Sequence, residues 1–187
     1  MQREGWCIWI TGLPGSGKSV IAQALMKKLE AQGIHVQIVS SDMMREVVTP
    51  VPKYTQDERD MVYNAIVFVS KLLAQNGVNV IVDATGNRRQ YRDLARESIS
   101  RFMEAYVRCP LEVCIQRETQ RKETFHAPTE IYKKGLSGRS ATVPGINVPY
   151  DEPCQPEVIV DSDKMDVDQC AQKIYEVIEK TFPRDQS

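Results

Sequence analysis

Gly12-Leu13-Pro14-Gly15-Ser16-Gly17-Lys18-Ser19 places glycines, a lysine and a hydroxyl at the spacing G-x-x-x-x-G-K-[ST]. Glycines let successive backbone N–H groups turn toward one set of phosphate oxygens, and a helix beginning at the same place adds its partial positive charge. Lys18 supplies a point charge for β- and γ-phosphates, and Ser19 a hydroxyl for Mg²⁺. The stretch therefore predicts a nucleoside triphosphate and Mg²⁺, with Gly12, Gly15, Ser16, Gly17, Lys18 and Ser19 as the binding loop. It does not by itself separate kinase, GTPase and motor. The guanine motif N-K-x-D is absent, and 187 residues are few for most ATPase motors. Small size and a basic irregular segment favour transfer of a phosphoryl group to a small molecule.

Such a transfer needs an acid or base near the γ-phosphate and cations for the acceptor. Asp42 follows the apolar run "IHVQIVS". A carboxylate there accepts a proton from an attacking hydroxyl or holds Mg²⁺ through water; the alternative is a helix N-cap. Arg45 is placed to clamp an anionic substrate, with a surface role as the alternative. Arg59 opens a long helix and joins the same site, or is a solvated charge. Tyr54 stacks on a base or is a half-buried loop residue. Asp83 ends "VIVD", a pattern resembling Walker B, whose acid orients Mg²⁺; a turn cap competes. Arg88, Arg89 and Arg92 follow at once, at a helix start where cations oppose the dipole, which favours a bound anion.

These groups need a frame that gathers strand ends. Strand-like runs "GWCIWIT", "IHVQIVS", "VNVIVDAT", "MEAYVRC" and "PEVIVDS" alternate with helical periodicities. From Gln56 to Asn76, Val62, Ala65, Ile66, Val69, Leu72 and Leu73 recur every three or four residues, and Gly77 stops the helix. Further helices are expected after Ser19, over 90–101, from Pro110 and after Val167. The pattern predicts an α/β fold: a central parallel sheet of about five strands, helices on both faces, and ligands at its carboxyl edge. Periodicity fails between Arg117 and Gln155, where His126, Lys133, Lys134, Gly135, Gly138, Arg139 and several prolines lie. A long irregular basic segment reads as a mobile lid, about 118–155, that excludes water, with a disordered insertion as the alternative. One domain over 1–187 is expected.

The net charge of −1 gives no global reason to expect nucleic acid or an anionic membrane as partner. No apolar run approaches the ~20 residues of a membrane helix. No targeting segment is expected before the first strand. Cys7, Cys109, Cys114, Cys154 and Cys170 form no CxxC pair and read as reduced thiols of a cytoplasmic protein. A homodimer is allowed but not required.

Taken in order, several stretches resemble the adenylyl-sulfate kinase family. "EGWCIWITGLPGSGKSVIA" resembles its opening, and "DMMR" its D-N-[IV]-R. "YTQDERD" resembles F-[ST]-x-x-D-R, and "RRQYRDLAR" resembles R-x-x-R-x-x-A-R. "CPLEVCIQRE" resembles [VC]-P-[LV]-E-V-C-x-x-R-D, "IYKKG" resembles L-Y-K-K-A, and "VPGINVPYDEPCQPEVIVD" resembles F-T-G-I-x-x-P-Y-E-x-P-x-x-P-E. The resemblance runs from about residue 4 to 161. It implies a three-layer P-loop kinase fold and transfer of the ATP γ-phosphate to the 3′-hydroxyl of adenylyl sulfate, as in sulfate assimilation. It implies Lys18 and Asp42 as catalytic residues and Arg117 on the nucleotide. Arg45, Tyr54, Arg59, Arg89 and Lys133 would lie on the substrates and Ser19 on the metal side; Asp83 is an acid the family usually lacks, and its metal role rests on the Walker-B-like pattern alone. The chain departs from the family at Ser40, where an acid is usual, at Val62, across Thr85–Asn87, and at Val143, where a lid phenylalanine is usual. A kinase for another nucleotide-like hydroxyl, and a nucleotide-binding domain without transfer, are the alternatives.

Overall fold

In a computed structural model, residues 4–120 and 127–183 are described. Part of the expected lid, 121–126 with His126, and both ends of the expected domain lie outside them. Five parallel strands are present among the described residues: β1 (Cys7–Thr11), β2 (Val36–Ser40), β3 (Asn79–Asp83), β4 (Phe102–Arg108) and β5 (Val158–Asp161). Their spatial order is β2-β3-β1-β4-β5. β1, the strand that feeds the glycine loop, is thus central, with Ile10 opposite Asp83 on one side and Thr11 opposite Tyr106 on the other.

Burial on both faces explains why β1 reads as an unbroken apolar run. Its alternation divides the core. Ile8 and Ile10 pack with Ile21, Leu25 and Leu29 of α1 (Lys18–Ala31), and with Cys170, Ile174 and Ile178 of α7 (Val167–Thr181). Cys7 and Trp9 pack oppositely on Val62, Tyr63 and Ile66 of α3 (Gln56–Gln75), and on Tyr91 and Ala95 of α4 (Arg89–Ser98). The expected α/β frame is therefore present, with helix ends within a few residues of the periodicity. α2 (Ser41–Val48) follows β2 directly, and α5 (Leu111–Gln120) follows β4.

Among the described residues, the segment where periodicity fails contains one helix of its own, α6 (Ile131–Leu136). Six residues do not sustain a helix alone. Here Tyr132, fully buried, packs with Val143, Cys109 and Cys114 in a third apolar cluster beside α5. The far end of the segment is sewn to the β3–α4 turn. The Asn87 carbonyl accepts from Asp151 N–H at 2.8 Å, and Asn87 Nδ2 donates to the Pro149 carbonyl at 3.2 Å. Thr11 Oγ1 donates to the Thr85 carbonyl at 2.7 Å and lies 3.0 Å from Tyr150 Oη. All five cysteines are free thiols, four of them buried.

Candidate active site

A cavity of about 920 Å³ opens at the carboxyl edge of the sheet. That volume lies at the upper end of the usual small-molecule range. Gly15, Ser16, Gly17, Lys18 and Ser19 line one part, and Asp42, Arg45, Tyr54 and Arg59 another. One cavity thus joins the predicted nucleotide loop to the predicted acceptor residues.

The loop has the shape its glycines allow. Gly15 has φ +77°, and a Cβ there would stand 2.5 Å from the Cys114 carbonyl oxygen. Both facts restrict the position to glycine. Gly17, at φ +99°, precedes the first residue of α1, Lys18. Lys18 Nζ donates to the loop's own Leu13 carbonyl at 2.9 Å. Ser16 Oγ is buried without a hydrogen-bond partner, as an anion-receiving loop requires.

Asp83 ends β3 beside this loop. Burial pushes its carboxyl above the ordinary range, while the Lys18 charge and a hydrogen bond from Ser19 pull the other way. A carboxylate and a hydroxyl held together are hard oxygen donors, the kind Mg²⁺ takes alongside phosphate and water. The residues present therefore fit that ion. Among the described residues there is no cluster of three or more His, Cys, Asp or Glu to hold a metal by protein groups alone.

At the acceptor end the cap of α2 is Ser40, whose Oγ accepts from Asp42 N–H at 3.2 Å. This corrects the alternative that made Asp42 the cap. It also gives Ser40 a local role at the position where the family usually has an acid. Arg45 is only 8 % exposed; its guanidinium lies 4.9 Å from the centre of the Tyr54 ring, and its Nη1 is buried without a hydrogen-bond partner. Tyr54 holds φ +57°, and its N–H donates to Glu58 Oε2 at 2.6 Å. Its ring is engaged by Arg45 and half-buried, and burial raises its hydroxyl pKa. Arg59 donates to the Thr142 carbonyl and, at 3.5 Å, to Asn87 Oδ1. Burial, with Arg45 adding to it, holds the Arg59 guanidinium below its ordinary value.

Three of the expected residues lie away from the cavity lining. Arg89 begins α4 with an exposed side chain that does not line the cavity; its backbone N–H donates to Asp151 Oδ2. Arg92 is fully buried and structural: its Nε lies 2.5 Å from Glu104 Oε1, and its other nitrogens donate to the Gly86 and Asp151 carbonyls. The proposed arginine anion cluster is thereby dissolved. Lys133 is exposed and paired with Glu130 at 2.6 Å, whereas Lys134 and Arg139 line the cavity. Arg117 does line the cavity, but it also donates to Ser162 Oγ at 3.1 Å and to the Ser162 carbonyl at 2.7 Å. Val143 lines the cavity as a buried apolar wall.

Sequence reasoning missed Ser162, Tyr132 and Asn87 as a hydrogen-bonding hub, and it put Lys133 ahead of its neighbour Lys134, which lines the cavity. Ser162 had one signal, its place just past the acid that ends β5. Tyr132 had another, its place in "IYKKG".

The geometry agrees with comparisons to known proteins. The adenylylsulphate kinase family profile matches residues 4–161. A probable adenylyl-sulfate kinase of Archaeoglobus fulgidus is 38 % identical over 159 residues, covering 85 % of this chain and 97 % of that one. The adenylyl-sulfate kinase of Rippkaea orientalis is 33 % identical over 180 residues, covering 96 % and 94 %. The solved APS kinase of Mycobacterium tuberculosis, in complex with AMPPNP and APS, superposes with a TM-score of 0.83 at 28 % identity, covering 95 % of this chain and 99 % of that one.

Proposed function

The chain belongs to the adenylylsulphate kinase family, and from that premise we propose that it moves the γ-phosphate of ATP to the 3′-hydroxyl of adenylyl sulfate. The products are 3′-phosphoadenylyl sulfate and ADP. The observation that carries the reading is the single cavity. It has a phosphate-binding loop at one end and, at the other, a buried arginine with an unpartnered donor.

In this reading the loop amides and Lys18 hold the triphosphate. On substrate entry the Lys18 ammonium exchanges its Leu13 carbonyl for phosphate oxygens. Ser19 and Asp83 would hold Mg²⁺, which when bound neutralises charge on the β- and γ-phosphates. Asp42 takes the acceptor hydroxyl proton or steadies the metal's water from the acceptor side. Arg45 and Arg59 grip the anionic end of the acceptor, and Tyr54 and Val143 flank its base. Arg117 lies toward the nucleotide. Residues 118–155 act as a lid; within it Lys134 and Arg139, rather than Lys133, line the cavity. Arg59 reaches the lid through the Thr142 carbonyl, so acceptor binding and closure share a residue.

Among the described residues no helix is long and apolar enough to cross a membrane. The reading places the enzyme in the cytoplasm, where ATP is available and thiols stay reduced. The direct test is incubation with MgATP and adenylyl sulfate, following ADP release and the mass of the product. ADP release with formation of a monophosphorylated adenylyl sulfate is expected. ATP binding without transfer to that acceptor would contradict the substrate assignment and favour another nucleotide-like hydroxyl.

A further inference from the structure

The glycine loop works only if its amides face the phosphates, and something must hold them there. Peptide groups are planar and trans, and no cis bond occurs among the described residues. The carbonyl of one residue and the N–H of the next therefore point in opposite directions. Fixing where a loop carbonyl points fixes the amide that follows it. The Pro14 carbonyl accepts from Tyr132 Oη at 2.7 Å, and the Ser16 carbonyl accepts from Ser162 Oγ at 2.7 Å. The amides in those two peptide planes belong to Gly15 and Gly17, both lining the cavity. Glycines are the residues whose planes turn most freely, so they most need an external hold.

We infer that Tyr132 and Ser162 are positioning residues of the nucleotide site. Each pins a loop carbonyl outward and so aims the Gly15 or Gly17 amide at the nucleotide phosphates. Neither side chain needs to touch the nucleotide. The inference rests on the kinase reading only for the nucleotide, not for the acceptor.

Three further observations support it. Tyr132 is fully buried, and burial keeps its hydroxyl protonated, so it remains a donor. Ser162 is 6 % exposed and accepts from Arg117 Nη1, which directs its single hydrogen to the Ser16 carbonyl. The two donors come from separate elements: Tyr132 from α6, in the proposed lid, and Ser162 from the loop between β5 and α7. Arg117 thereby acts on the loop through Ser162 as well as lining the cavity.

The test uses full-length Tyr132→Phe, Ser162→Ala and Ser162→Thr, with ADP as the probe. ADP affinity is measured by titration calorimetry and ligand-free melting by scanning calorimetry. Tyr132→Phe and Ser162→Ala should each raise the ADP dissociation constant by about fivefold or more, the scale of one buried carbonyl left without its donor. Ser162→Thr keeps the hydroxyl and should restore near wild-type affinity. Unchanged ADP affinity in the folded variants, even with a lowered melting point, would overturn the inference and leave both residues as packing groups. If Tyr132→Phe fails to fold, the two Ser162 variants decide: equal ADP affinity for Ala and Thr overturns it. Transfer to adenylyl sulfate by the wild type is measured separately, so failure of the acceptor assignment does not alter this result.

Discussion

Replacing Arg45 by Gln should weaken acceptor binding while leaving the ligand-free fold intact. The two effects follow from the same atom. Arg45 Nη1 is buried without a partner, so the ligand-free protein already bears the desolvation of an unmet donor. That cost is about 1–3 kcal/mol. The main compensation in view is the guanidinium over Tyr54 at 4.9 Å, worth about 0.5–1 kcal/mol or somewhat more when desolvated. Removing both therefore costs the ligand-free fold no more than about 1 kcal/mol. Binding has no such compensation. A hydrogen bond to a charged partner contributes about 1.5–3 kcal/mol, which corresponds to about a 10- to 150-fold rise in the acceptor KM. The ATP KM should stay within about twofold, because the glycine loop is untouched. Initial rates at saturating MgATP, with adenylyl sulfate varied, read the first effect, and thermal melting reads the second. An unchanged acceptor KM, or a stability loss well above 2 kcal/mol with normal kinetics, would refute the reasoning and make Arg45 a structural residue.

Asp42→Asn should lower kcat by about 10²-fold or more with little change in acceptor KM, the usual scale for loss of a general base. Its melting point should hold, since Ser40 caps α2; full activity would remove Asp42 from the chemistry. Asp83→Asn should raise the Mg²⁺ concentration for half-maximal rate. It should also alter the pH dependence of ligand-free stability: burial raises the Asp83 pKa above the ordinary carboxylate value, so the folded state holds this proton more tightly. Stability should therefore fall as pH rises from that value through the folded pKa in wild type relative to the variant, and urea melts at several pH values check the difference. A variant less stable than wild type at neutral pH, with unchanged Mg²⁺ dependence, would assign Asp83 to the turn instead. Arg92→Met should cost about 3–5 kcal/mol by stranding Glu104, whereas Arg89→Ala should change neither stability nor acceptor KM appreciably; denaturant melts and steady-state rates separate them.

The loop and the five strands were legible because each rests on local rules. Glycine spacing dictates a backbone shape, and a strand covered on both faces needs an unbroken apolar run. α6 was illegible because its stability comes from Tyr132 in a cluster assembled from the β4–α5 turn, α5 and the lid, not from its own six residues. Lys133 and Lys134 differ by one step of helical phase, about 100°, which decides between solvent and cavity; the chain gives no phase reference for so short a helix. Arg89 and Arg92 are the same residue type on one helix. Only the buried Glu104 on β4 distinguishes them, and that pairing is tertiary. Asp42 was read rightly as a residue at the strand end, but the competing cap belonged to Ser40, two positions earlier.

The central claim is that one cavity joins ATP to an acceptor hydroxyl held by its anionic end. The most direct measurement is kcat/KM for adenylyl sulfate, AMP and 3′-deoxy-adenylyl sulfate with γ-labelled ATP and wild-type enzyme. The account predicts label on adenylyl sulfate, a clearly lower kcat/KM for AMP because the sulfate contacts are lost, and no label on the 3′-deoxy compound. Equal use of AMP and adenylyl sulfate, or label transferred to the 3′-deoxy compound, would contradict it.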